Sequence, residues 1–248
     1  MIMACNLAVS IRDVCDLPIT LISDLQVPDG YFDEVITPKP EHMYRYITSE
    51  GGKGFEPGLL KLNMDKYTPY ENTVYVDADS IFLSEPDIAF NSAFTAPTLD
   101  WIPVDYEGRH KQMIWAKMQD IAEYLGGDMP AINSSLLMFT REAKPIFELA
   151  RQMFPRVAPS RRWGNGRPDE LYFNIALSHY PGLFTETELL RPAWSKTKEH
   201  RPILTLAGSE IQIRRHWRDV YKMRVKELGA GNGKQTYGVN WAHKFVTQ

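Results

Sequence analysis

The sequence predicts an α/β protein with a mixed, mostly parallel sheet flanked by helices. Three observations carry that prediction. A β-branched and aromatic run, Val74-Tyr75-Val76, ends at once in Asp77-Ala78-Asp79. Upstream of it, stretches with strand and helix character follow in the order strand, helix, strand of a βαβ unit. A second mainly apolar run, Ala131 to Phe139, carries Asn133 within it and leads into a helical stretch.

Met1 to Asp16 reads as an amphipathic helix, with Leu7, Ile11 and Val14 on one face. Leu17 to Asp24 and Phe32 to Thr37 read as strands, the second closed by Pro38 and Pro40. His42 to Gly58 reads as a glycine-rich loop, and Glu56 to Tyr67 as a helix with Pro57 in its first turn. The Asp77 strand follows. Phe94 to Pro97 and Trp101 to Tyr106 read as short strands, Lys111 to Leu125 as a helix ended by Gly126-Gly127. Lys144 to Phe154 reads as a helix. Another opens at Pro168-Asp169-Glu170, where acids suit the positive end of the helix dipole. Ile203 to Leu206 and Ile211 to Ile213 read as strands, His216 to Leu228 as a helix, and Gly229 to Gly233 as a linker. An α/β unit ordinarily opens on a strand. This sequence opens on a helix, so the usual first strand is missing, another segment replaces it, or the fold simply starts on the helix.

The chain has 248 residues, 44% hydrophobic and 24% charged, enough for one large α/β domain. A net charge of −3 does not indicate a nucleic-acid partner. No apolar run approaches the ~18–20 residues of a membrane helix. Met1–Ala8 has neither the charged start nor the apolar core of a signal peptide. Cys5 and Cys15 fall on one predicted helix, a poor geometry for a disulfide, so reduced thiols and a cytoplasmic setting are expected.

Two carboxylates at the end of a buried strand need a cation, because unpaired buried charge is costly. The carboxyl end of a strand is also where open α/β sheets bind ligands. Asp77 and Asp79 therefore read as oxygen ligands for a hard dication, Mn²⁺ or Mg²⁺; the alternative is a pair of turn or cap aspartates. Asn133 is an amide in an apolar strand and needs partners there, which favours a site role. Asp169 and Glu170 read equally as site residues or helix-start acids, Lys61 as a site cation or an exposed helix lysine, and His243 as a ligand or a surface histidine. Arg161, Arg162 and Arg167 surround Trp163, and Arg214 to Lys226 form a basic run around Trp217 and Tyr221. Either could meet phosphates or simply face solvent. Trp101, Trp115 and Trp194 read as sugar platforms or as core.

Four blocks and the chain's closing residues, in this order, resemble the GT-A glycosyltransferases, most of all the retaining, glycogenin-like enzymes of family 8. Leu60-Lys61-Leu62 precedes the carboxylate strand. Tyr75-Val76-Asp77-Ala78-Asp79-Ser80 is similar to the family's D-x-D strand. Ile132-Asn133-Ser134-Ser135-Leu136 resembles its F-N-S-G strand, and Asp169-Glu170-Leu171-Tyr172-Phe173-Asn174 its D-Q-x-x-L-N helix start. His243-Lys244 resembles its closing histidine and lysine.

The resemblance implies one Rossmann-like domain over 1–248, with a nucleotide-binding half (1–100) and an acceptor half with a C-terminal tail (101–248). It implies a nucleotide-diphosphate sugar donor, uridine by analogy, transfer with retention, and Mn²⁺ or Mg²⁺ as cofactor. The acceptor is open: a glycan, a protein or an anionic polymer. By resemblance Asp77 contacts ribose and metal, Asp79 chelates metal, and His243 is the third protein ligand. Lys61 and Lys244 touch the donor's phosphate or sugar. Asn133 and Ser134 hydrogen-bond sugar or acceptor. Asp169 holds donor hydroxyls, and Glu170 lies near the anomeric carbon.

Three departures stand out. Glu170 replaces the motif's glutamine, Ser135 replaces its glycine, and the Lys-Pro-Trp ending after the histidine is absent. The competing readings are an impaired sugar-nucleotide-binding or assembly protein on the same fold, a sugar-phosphate nucleotidyltransferase, and an aspartyl-nucleophile phosphatase. The carboxylate strand lies too far from the chain start for the last.

Overall fold

The computed structural model describes residues 2–46, 53–104, 115–160, 167–192 and 201–205. Helix α1 (Ile2–Arg12) is followed by β1 (Thr20–Ile22) and β2 (Glu34–Ile36), a parallel pair with Leu21 opposite Val35. Inside the stretch read as loop lies an antiparallel hairpin, β3 (Tyr44–Tyr46) and β4 (Lys53–Phe55). Its connecting glycines read as breakers from composition, yet glycine between two short β-forming runs is equally a hairpin signal.

Helix α2 (Pro57–Lys61) is shorter than the stretch read from Glu56 to Tyr67. It ends where Asn63 Nδ2 donates to Leu59 O at 2.7 Å, and a 3₁₀ turn, Met64–Lys66, takes over. Asparagine competes for helical carbonyls in this way. Then come β5 (Asn72–Val76), β6 (Ser80–Phe82), β7 (Phe94–Ala96), β8 (Thr98–Ile102), the single-turn α3 (Met118–Ile121) and β9 (Met129–Ile132). β10 (Leu136–Thr140), α4 (Lys144–Arg156), α5 (Asp169–His179), β11 (Phe184–Glu186), β12 (Leu190–Pro192) and β13 (Ile203–Thr205) complete the order.

The central sheet runs β11-β7-β10-β5 and is mixed: β10 is antiparallel to both neighbours, and β11 is parallel to β7. A second sheet runs β12-β13-β6, and β8 pairs with β9. Alternation along β10 divides the core. Leu137 and Phe139 join the cluster under α4 and α5, while Leu136 and Met138 join the cluster under α1. The first cluster is aromatic. Phe147 of α4 meets Phe94, Phe139 and Phe173 with ring centroids 5.9, 4.9 and 5.5 Å apart.

Helix α5 is apolar around most of its circumference, with nine of its eleven residues buried, as expected for a helix inside the molecule. On the other face Ser10 Oγ ties α1 to the sheet by accepting Phe82 N–H at 3.0 Å. Cys5 and Cys15 are free thiols. Among the described residues no helix is long and apolar enough to cross a membrane. The elements read from Ile211 to Val246 lie outside the described residues.

Candidate active site

The apolar run from Ala131 to Phe139 is two strands rather than one. It breaks at Asn133-Ser134-Ser135 because Asn133 Oδ1 accepts Ser135 N–H at 2.9 Å and closes a local turn. That turn lies against the end of β5, where Asp77 N–H donates to Ser135 O at 2.9 Å. Asp77 leaves β5 into a second turn, with Ser80 N–H donating to Asp77 O at 3.0 Å. Asp79 sits within it.

Lys61, at the last turn of α2, is where four of the predicted residues meet. Its Nζ lies 3.0 Å from Asp77 Oδ1 and 3.1 Å from Asp77 Oδ2. It lies 3.0 Å from Ser134 Oγ, 3.3 Å from Ser134 O and 3.4 Å from Asp169 Oδ2. The Tyr75 ring stands 5.5 Å away, in cation–π range, and its hydroxyl donates to Asp77 Oδ1 at 2.5 Å. Tyr75 escaped the sequence reading because a tyrosine inside an apolar strand looks like core. Its signal was a polar tip two residues from a carboxylate, on the same strand face.

The electrostatics follow from burial. Loss of water would depress the Lys61 ammonium, but the carboxylates of Asp169 and Asp77 overcome this and hold it well above the usual lysine range. Burial and then the negative charge of Asp77 push the Tyr75 hydroxyl well up. Burial, and then the charge of Asp169, push the Glu170 carboxyl from 4.5 to about 8, against the pull of Lys61. Asn133, Ser134 and Asp169 are buried, and Glu170 is half-buried.

Asp77 and Asp79 are hard oxygen donors, and a magnesium-type ion takes one or two carboxylates alongside phosphate oxygens and water. The donor set therefore fits such an ion in kind. Among the described residues there is no group of three or more potential ligands. His243 and Lys244 lie outside the described residues, as do Arg161, Arg162, Trp163, Trp194 and the basic run from Arg214 to Lys226. Arg167 is described and half-buried. Trp101 is exposed, with its indole N–H donated to Glu186 Oε1 at 2.5 Å, and Trp115 is half-buried. Neither tryptophan joins the Lys61 cluster.

No family model matches the sequence, and no curated protein matches it significantly. Solved structures do. A galactosyltransferase, LgtC, in complex with donor and acceptor sugar analogs aligns at a TM-score of 0.55 and 12% identity. A glutamine-to-glutamate active-site mutant of LgtC aligns at 0.53 and 10% identity. Each alignment covers 96% of this chain and 95% of the other. At such identity the likeness speaks for architecture, and on it the chain has the GT-A, glycosyltransferase-like fold.

Proposed function

We propose that the protein is a glycosyltransferase that moves a sugar from a nucleotide-diphosphate donor, a uridine one by resemblance, to an acceptor, with retention. The observation that supports this most is the convergence on Lys61. Groups from α2, the β5 end, the β9–β10 turn and the α5 start meet at one ammonium on a fold shared with a galactosyltransferase.

In this reading Lys61 is a fixed positive charge for the donor's phosphate. Its surrounding carboxylates keep it protonated at any working pH. Asp169, held at one oxygen by Lys61, offers the other to sugar hydroxyls. Asn133 and Ser134 present an amide and a hydroxyl on the same wall. Asp77, Asp79 and His243 would hold a divalent ion, which neutralises charge on the leaving diphosphate. Lys244 would join Lys61 at the phosphates. Glu170 keeps its proton at neutral pH and so presents an O–H where the family motif has an amide N–H. As an anion it could attack the anomeric carbon or stabilise positive charge there, so any turnover through that anion rises as pH approaches about 8.

The test is release of nucleoside diphosphate from a panel of nucleotide sugars with Mn²⁺. Release that vanishes in Asp79→Asn is the expected result. Pyrophosphate release would point to a nucleotidyltransferase, and tight donor binding without turnover to a binding protein. Inversion at the product anomer, read by NMR, would remove the retaining mechanism.

A further inference from the structure

Helix α2 is only five residues long, yet it carries the ammonium around which the site is built. Its far end is fixed by Arg151 of α4. That guanidinium donates to Leu62 O at 2.8 Å and to Asp65 at 2.6 and 3.1 Å. Its near end is fixed by Glu56, the residue just before the helix. Glu56 is fully buried, and its Oε1 accepts the backbone N–H of Arg167.

Arg167 is pinned in two further ways. Its guanidinium donates to Phe154 O at the end of α4 and stacks on the Phe154 ring, 5.1 Å from the centroid. Its carbonyl abuts α2 so closely that a Cβ at Gly58 would stand 2.7 Å from Arg167 O. Two residues later comes Asp169, whose Oδ2 faces Lys61 at 3.4 Å. A fully buried carboxyl side chain must be hydrogen-bonded to be tolerated, and one of the groups Glu56 satisfies is the Arg167 backbone N–H beside the site.

We propose that Glu56 is a positioning residue, which fixes the first turn of α5 on α2 and so sets the separation of Asp169 from Lys61. The role rests on the glycosyltransferase reading for its catalytic consequence, but not for its structural one. Glu56 acts through the Arg167 main chain.

The experiment compares the full-length wild type with Glu56→Ala, Glu56→Asp, Glu56→Gln and Gly58→Ala. Hydrogen exchange is followed over residues 167–170 and, as a control, over α4. Nucleoside diphosphate release is followed for the wild type's preferred donor. Glutamine keeps an acceptor at the same reach; aspartate keeps the carboxyl but withdraws it by one methylene; Gly58→Ala displaces the Arg167 carbonyl from the other side.

Exchange over 167–170 should quicken about tenfold or more in the alanine and aspartate variants and in Gly58→Ala, with α4 unchanged. In the same three variants kcat should fall on the order of 10–100-fold, with KM within about twofold of wild type. Glu56→Gln should restore both most of the way. Wild-type exchange at 167–170 in the aspartate variant overturns the proposal. So does a loss of protection spread evenly over α4 and α5, which marks a general packing role. If the wild type itself releases no nucleoside diphosphate, the functional reading fails, and the exchange pattern alone still decides on Glu56.

Discussion

Lys61 shows how one side chain can satisfy several elements at once. Its side chain is 13% exposed, and those of Asp77 and Asp169 are 25% and 12% exposed. Removing the ammonium strands two largely buried carboxylates, so Lys61→Met should destabilise the fold by about 3–5 kcal/mol, the usual cost of breaking a buried pair from one side. Urea unfolding measures this; a loss below about 1 kcal/mol would mean that water already screens the cluster. Glu170 yields a pH prediction. Its folded carboxyl titrates near 8 while the unfolded one titrates near 4.5, so between those values the folded state holds a proton that the unfolded chain has released. Stability from this group is therefore fully present below about 4.5 and declines as pH rises toward 8. Glu170→Gln removes the dependence. Its melting temperature should gain on wild type as pH rises through the window, by about 2–4 °C for each kcal/mol recovered. Melting curves at pH 4.5, 6 and 8 that stay parallel would refute it. At this scale the sequence was informative where a residue type conflicts with its surroundings. Aspartates closing an apolar strand and an asparagine inside one were visible. Glu56 was not, because an acid beside proline and glycine is the ordinary composition of a helix start.

Among the elements, α4 holds the site's scaffold without touching the cluster. It packs Phe147 into the aromatic core under the central sheet and reaches α2 through Arg151. Phe147→Ala should cost about 3–5 kcal/mol by cavity formation. A loss under about 2 kcal/mol in denaturant titration would show that neighbouring rings close the gap. The strand types of β5 and β10 were legible from apolar, β-branched and aromatic runs, and α5 from the proline and acids at its start. The break at Asn133 was not read, because Asn133-Ser134-Ser135 is a short polar interruption between two apolar runs, and the turn hydrogen bond from Ser135 N–H is what divides them. The hairpin of β3 and β4 was hidden for the opposite reason: strands of three residues carry too little pattern to register against nearby glycines.

For the whole molecule, sheet order is what turns scattered motifs into a site. Lys61, Asp77, Ser134 and Asp169 span more than a hundred residues of sequence, and no local pattern states that they touch. The placement of β10 beside β5 brings the β9–β10 turn to the Asp77 end, and the docking of α5 on α2 adds Asp169. Strand order and register are long-range properties, so the sequence could supply the participants through resemblance but not the distances. The proposed metal requirement offers a test of the assembled site. Chelation, or Asp79→Asn, should abolish nucleoside diphosphate release while leaving the melting temperature within a few degrees of wild type.

The hydrogen bond from Asp77 N–H to Ser135 O has one more implication. It continues the β5–β10 ladder one rung past Val76 and Leu136, so two walls of the candidate site are stitched by the sheet's own backbone. They cannot part unless the middle of the protein unzips. On the proposed glycosyltransferase reading, an arriving sugar donor would meet these two walls already in place, and discrimination there would fall to its shape and charge rather than to any rearrangement it induces.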